Sequence, residues 1–481
     1  MGQSSKWLRR LCTGAIAALG LALVPAGVSA AGTTTINGTA TDRYGLSFTY
    51  KIDVPSPWNG TLLLYSHGYT FGPDNPAEDV GDPATGAWLL ANGYALAGSS
   101  YSTTGWALQQ AFADQTKVLD LFNSKIGHPK RTIAWGHSLG GMITAALVQL
   151  YPGRFTAALP MCGVVAGGPG VWNQGLDSEF ALATLQSPFK MVNFTSPSDV
   201  VNNFVAASTA LAIAQATPQG RARIALSAAL ADLPGWFDPT SAEPASTDYA
   251  AQELNQFNWD NNPDFAFAFF GRAELEARAG GNYSWNTGVD YHAQLANSSD
   301  LAEVQALYAA AGLDLNKDLD TLNAAPRISV TNPKALAYIT KYITYNGQLE
   351  MPVLTMHTTG DGLVEVTDEN AYADVVSSTG NSDLLRQVFV HRAGHCSFSP
   401  AETITALQTL VHRLDTGSWS GLDPSTMNAN ASAFGPAFNI IAVPNPTPPP
   451  ADLIVPAGPS FINFQPDQFL RPFDARNVVE S

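Results

Sequence analysis

The sequence predicts an α/β fold: a mostly parallel sheet with helices on both faces, interrupted by a large helical insertion. Three observations carry this. Short apolar runs alternate with helix-periodic stretches at both ends of the chain, around residues 61–65, 93–99, 132–135 and 155–161 and again at 351–357 and 384–391. That is the rhythm of right-handed βαβ units. One run, Thr132-Ile133-Ala134-Trp135, passes through Gly136-His137-Ser138-Leu139-Gly140-Gly141 straight into a helical pattern with Met142, Leu147, Val148 and Leu150. From about Gly163 to Glu350 strand runs give way to Ala/Leu-rich helical periodicity.

Composition sets the class. The chain has 481 residues, is 45% hydrophobic and only 13% charged, and so has enough apolar material to bury a large core. Its net charge is −16, with no basic run long enough to follow a phosphate backbone. Neither nucleic acid nor an anionic membrane surface is an expected partner.

Residues 1–30 read as an export signal. Lys6-Trp7-Leu8-Arg9-Arg10 is a basic start, Leu11 to Pro25 an apolar stretch, and Val28-Ser29-Ala30 a small-residue cleavage site. The apolar stretch is too short for a membrane anchor and lacks a stop-transfer flank, and no other run is long enough. The expectation is a secreted, extracellular or periplasmic monomer without stable membrane insertion.

The segments TTTINGTATD and LSFTYKIDV, parted by Arg43-Tyr44-Gly45, read as an antiparallel entry to the sheet. A third strand, Thr61 to Tyr65, ends in Ser66-His67-Gly68-Tyr69. Gly93 to Ser99 is the next strand and Gly105 to Ile126 a helix. The strand Phe155 to Met161 ends at Cys162. The predicted organisation is a core of residues 31–163 and 351–415, a helical cap over 164–350, and a Pro-rich extended tail over 416–481 with no helix of consequence. In the cap, Leu176 to Phe189, Ser198 to Thr217, Gly220 to Leu233 and Asp300 to Ala311 carry helical periodicity. Its aromatics (Trp172, Trp236, Phe237, Trp259, Phe265, Phe267, Phe269, Phe270 and Trp285) read mainly as the cap's own core, with a few lining an apolar pocket that faces Ser138. In the tail, Phe461, Phe464, Phe469 and Phe473 are candidate anchors.

The candidate site lies where the strands end. Gly136 and Gly140 flank Ser138, where strand and helix crowd and a Cβ would collide. The helix start behind Ser138 directs N–H groups and partial positive charge at that point. Asp361 follows the strand Met351 to His357, in Thr358-Thr359-Gly360-Asp361-Gly362-Leu363-Val364. The last strand, Leu384 to His391, leads into Ala393-Gly394-His395-Cys396, and an amphipathic helix runs from Pro400 to Leu414.

The elbow GHSLGG, His67-Gly68, TTGDGLV and AGHC together resemble the α/β-hydrolase superfamily, in particular its secreted esterase and lipase branch, over about residues 40–163 and 351–414. The order Ser138, Asp361, His395 is the order of triad members in that fold. The resemblance implies Ser138 as nucleophile, His395 as general base and then acid, and Asp361 as the carboxylate that orients the imidazole. It also implies oxyanion donors at the backbone N–H groups of Leu139 and Tyr69, with His67 and Gly68 shaping the loop. The residue types suit the chemistry: a serine hydroxyl needs an imidazole to take its proton, the imidazolium needs a carboxylate, and the oxyanion needs fixed donors.

Rivals stay open at this level. Glu365 or Asp368 can replace Asp361, and His137, His357 and His391 compete with His395. A metal site from His357, Asp361, His391 and His395 fits no compact ligand spacing, so neither metal nor cofactor is expected. Once residues 1–30 are removed, Cys162 and Cys396 are the remaining cysteines, and a bridge between them is expected in an oxidising compartment. The first functional expectation is hydrolysis of a small-molecule or polymeric ester. The second is an amidase or peptidase with the same triad, in which Glu274 or Glu276 holds a substrate amine. The third is a non-catalytic binding protein.

Overall fold

The computed structural model describes residues 32–443 and 452–473. The expected export signal and the proline run 444–450 lie outside the described residues.

The framework is one nine-stranded sheet in the order β1-β2-β4-β3-β5-β6-β7-β8-β11. Strands β1 (Thr34–Thr41) and β2 (Ser47–Val54) form the antiparallel entry, and β2 pairs antiparallel with β4 (Ala95–Ser99). From β4 the sheet is parallel through β3 (Thr61–Ser66), β5 (Arg131–His137), β6 (Ala157–Met161), β7 (Val353–Gly360) and β8 (Leu385–Ala393). Both faces of these strands are covered, so they read as apolar runs rather than alternating ones. In β3 successive side chains still part company. Leu62 and Leu64 join the core that holds Phe112, Val118 and Phe122 of α2 (Leu108–Lys125), together with α3 (Leu139–Leu150). Leu63 and Tyr65 join the opposite core, with Leu89 of α1 (Pro83–Ala91) and Leu407 and Leu410 of the helix Pro400–Thr416.

Helix α1 has no counterpart in the strand-and-helix reading above. Its start signal is nonetheless present: Asp82 caps the Thr85 N–H, and Pro83 occupies the first turn. The surrounding Gly and Pro residues hid it.

Between β6 and β7 the described chain is helical, from Gly168–Leu185 to Pro333–Ile343. Phe265 and Phe269 sink into a cap core with Phe189 and Ile224, while Phe267 packs instead against the core beneath the sheet's carboxyl edge. Around them the cap helix is irregular, with π-helical turns at Asp260–Asp264 and Phe267–Gly271.

The C-terminal segment departs from the extended, helix-free tail expected. Asp423 caps a helix over Pro424–Ser432, β9 (Ile440–Val443) pairs with β10 (Leu453–Pro456), and β11 (Phe461–Ile462) adds an antiparallel edge to β8. The helix PSTMNANAS has no apolar stripe to announce it. Its Asn428 side chain donates to the Phe461 carbonyl and accepts the Phe461 N–H, both at 2.8 Å, and so holds β11 in register. Beyond β11, Phe469 is wedged beside Gly170, Phe473 meets Trp285, and Arg471 pairs with buried Asp177. The segment therefore ties the sheet edge to the cap.

Candidate active site

Ser138 stands between β5 and α3 with φ 58° and ψ −123°, a left-handed conformation for a residue with a side chain. Such strain typically costs about 1–3 kcal/mol and persists only where the surroundings enforce it. Here they do. The Ser138 N–H donates to the Met161 carbonyl at 3.0 Å, and the Ser138 carbonyl accepts from Met142 at 3.0 Å. A Cβ on Gly136 would lie 2.3 Å from the Ser66 oxygen, and one on Gly140 only 1.9 Å from that same atom. Both glycines are required by the end of β3, which presses directly on the turn.

That packing brings the His67-Gly68-Tyr69 loop to the serine. A Cβ on Gly68 would rest 3.7 Å from Ser138 Cβ and from the His137 carbonyl oxygen. His67 is buried, stacks on Tyr101 with centroids 3.9 Å apart, and directs Nδ1 at the Gly68 carbonyl at 2.8 Å. Burial lowers its pKa, so its ring is a neutral spacer that shapes the loop. Tyr69 packs its ring on Phe71, Trp106 and Phe267 at centroid distances of 4.4, 5.2 and 5.2 Å. Leu139 opens α3, and the N–H groups of a first helical turn have no acceptor within the helix.

Asp361 and His395 meet. His395 Nδ1 donates to the Asp361 carboxylate, 2.8 Å from Oδ2 and 3.0 Å from Oδ1. Oδ1 also accepts the N–H groups of Leu363 and Val364, both at 3.1 Å. Burial alone would raise the Asp361 carboxyl, but the facing His395 and His357 imidazoles outweigh it and hold the group at about 2. Asp361 is thus ionised and aimed. Its rivals sit elsewhere: Asp368 opens the helix Asp368–Ser378 and accepts from Ala166 N, and burial pushes Glu365 well above the usual carboxylate range.

A disulfide joins Cys162, next after β6, to Cys396, with Cα atoms 5.5 Å apart. Because Met161 holds the Ser138 N–H, this bridge fastens the His395 loop to the strand that supports the serine turn. Cys396 Sγ lies 3.3 Å from His395 Nε2. A second brace was not legible from spacing. Buried Arg392 grips Glu402 at 2.7 and 3.0 Å and donates to the Ser397 carbonyl at 2.6 Å, spanning the loop from strand to helix.

The other histidines are engaged elsewhere. His137 is half-buried against Tyr65, whose hydroxyl is 3.2 Å from Nδ1; loss of solvent and then the neighbouring His395 drive it down to about 4. His391 faces Glu243 at 3.3 Å. His357 lies fully buried behind Asp361. Among the described residues no group of three or more His, Cys, Asp or Glu is arranged to hold a metal ion. Glu274 and Glu276, the candidate amine holders, are committed to the scaffold. Glu274 accepts from Trp106 N and pairs with Arg278, and Glu276 accepts the N–H groups of Asn193 and Phe194.

The chain is similar to several known proteins. The model of the prolyl oligopeptidase family matches residues 93–167, which include the serine turn. Over 414 residues the chain is 30% identical to o-phthalyl amidase of Xanthobacter agilis, spanning 80% of this chain and 89% of the amidase. It is 32% identical over 118 residues to protein phosphatase methylesterase 1 of Candida albicans, 23% of this chain and 31% of that one. Among solved structures it is similar to an esterase from Aspergillus oryzae, with TM-score 0.40 and 13% identity over 89% of this chain and 86% of that one. Feruloyl esterase B from the same organism gives 0.37 and 13% over 83% and 89%.

Proposed function

Because the chain belongs to the α/β-hydrolase family of serine hydrolases that includes o-phthalyl amidase, we infer that it cleaves an aromatic acyl compound at its carbonyl through an acyl-enzyme on Ser138. His395 takes the hydroxyl proton during attack and returns it to the leaving group, and Asp361 holds the imidazole and its cation. The N–H groups of Leu139 and Tyr69 receive the oxyanion.

The aromatic preference rests on one observation. Tyr69 and Phe71, on the loop that abuts Ser138, cluster with Trp106 from the segment before α2 and with Phe267 from the cap. Flat apolar walls beside a reacting carbonyl favour an aryl group through burial and edge-to-face contact. An amide is the first reading of the scissile bond, supported by the activity named for the relative. An ester is the second, since the same acyl-enzyme forms more readily from a better leaving group. A peptidase holding an α-amine is disfavoured, because Glu274 and Glu276 are already bonded within the fold. Export belongs to the same proposal: the Cys162–Cys396 bridge suits an oxidising compartment.

The test is turnover of matched p-nitroanilides and p-nitrophenyl esters of benzoic and butyric acids. Aryl over alkyl preference that collapses in Phe267→Ala, with measurable anilide cleavage, supports the proposal. Alkyl preference in the wild type would reject the aryl pocket, and ester turnover without anilide turnover would move the reading to an esterase.

A further inference from the structure

Behind the triad carboxylate lies a second histidine that the mechanism above does not use. His357, on β7, is fully buried. Its Nε2 lies 2.9 Å from the Val364 carbonyl and 3.6 Å from Asp361 Oδ2, and its Nδ1 lies 3.1 Å from Glu369 Oε1. A carbonyl and a carboxylate only accept, so each ring nitrogen needs a proton, and a ring with two is an imidazolium. Glu369 is itself fixed: its Oε2 accepts from Thr355 Oγ1 at 2.5 Å and from Gln387 Nε2 at 2.6 Å.

We propose that His357 is a permanent imidazolium, held by Glu369, that acts as a positioning residue for Asp361 and moderates the negative charge Asp361 presents to His395. This rests on the reading of Asp361 and His395 as triad members. A lone buried carboxylate behind His395 would also favour the imidazolium before any substrate is attacked, leaving less free base near neutral pH. A cation on the far side of that carboxylate offsets this, while the two N–H bonds from Leu363 and Val364 keep the carboxylate in place. The charged and titratable groups facing His357 are Asp361 from the turn after β7 and Glu369 and Asp368 from the following helix. Burial lowers the His357 pKa, but the neighbouring Asp361 and Glu369 carboxylates outweigh it and push it up to about 10. Burial pushes Asp368 up to about 8, leaving it mostly neutral at pH 7.

Two measurements test this. In wild-type protein labelled with ¹⁵N-histidine, both His357 nitrogens should carry protons at pH 8; a bare His357 nitrogen at that pH would overturn the proposal without reference to activity. In His357→Gln, the acid limb of the kcat/KM–pH profile should move to higher pH by roughly one unit, because the moderating cation is gone. Should that variant fold poorly, H357Q/E369Q removes both buried charges and should show a smaller displacement in the same direction. A limb at the wild-type position in a folded variant would reduce His357 to a packing residue. If Ser138→Ala were instead as active as wild type, the triad reading itself would fall, whatever the state of His357.

Discussion

Gly140 lies so close beneath Ser66 that a Cβ would stand 1.9 Å from the Ser66 carbonyl oxygen and 2.7 Å from that of His67. Both contacts are backbone, so no rotamer change relieves them. Gly140→Ala must push β3 away from α3 and carry the His67-Gly68-Tyr69 loop with it. We expect destabilisation of about 1–3 kcal/mol from overpacking and a fall in kcat of about 100-fold or more from the displaced oxyanion loop. Urea unfolding and turnover measured side by side check this. A variant with wild-type kcat would show that β3 does not set the geometry of the serine turn.

The Cys162–Cys396 bridge closes a loop of 234 residues that contains the whole cap. C162S/C396S should lose about 2–4 kcal/mol of stability. It should also lose activity at temperatures well below its Tm, because the loop carrying His395 then loses its covalent tie to the end of β6. Equal activity at 20 °C, with only the Tm lowered, would limit the bridge to a global role.

Arg392 and Glu402 are both buried, and breaking such a pair from one side leaves an uncompensated charge. Glu402→Gln should cost about 3–5 kcal/mol, more than Glu243→Gln at the exposed His391 contact, where ordinary surface values of 1 kcal/mol or less (~0–1) apply. Comparable losses for the two variants would contradict the brace.

Stability should fall as pH rises from about 5 to 8. Burial pushes Glu179 and Glu303 up to about 8, and Glu253 and Asp260 up to about 7. These groups fold neutral but ionise near pH 4 when unfolded. The folded chain therefore binds more protons across that window, and what they contribute in acid is lost as pH passes their folded values. His357, raised to about 10, works in the same direction above pH 6.5. On the acid side the sign reverses. His137, held at about 4, costs stability as pH drops from 6.5, and Asp361, held at about 2, loses its contribution as pH falls below 3.8. Differential scanning fluorimetry from pH 3 to 9 should place the highest Tm near pH 4, where the unfolded carboxyls begin to ionise, and a Tm still rising at pH 8 would contradict the sign.

How far the sequence reaches depends on how local each signal is. The turn around Ser138 is legible because its steric demand, a strained residue between two glycines, is met within six residues and flanked by opposite periodicities. Asp361 and His395 are legible as residues that follow strands, and parallel strands deliver such residues to one edge. His357 and Glu369 are twelve positions apart, and only the turn from β7 into its helix makes them partners, so neither stands out in a pattern. Arg392 and Glu402 are hidden the same way, by a loop that doubles back. The helix Pro424–Ser432 has a cap but no apolar stripe, and β11 takes its place from Asn428 rather than from periodicity. The cap helices are visible as periodicity, but the placement of Phe267 against Tyr69 and Trp106 depends on the π-helical turns around it, which no spacing announces.

Ser138 as nucleophile is tested most directly by peptide mapping after treatment with a fluorophosphonate, followed with turnover. The adduct should form on the peptide carrying Ser138, in step with loss of activity, and both labelling and turnover should disappear in Ser138→Ala, with kcat down by about 10⁴-fold or more. Labelling at another residue, or turnover that survives in Ser138→Ala, would contradict the mechanism.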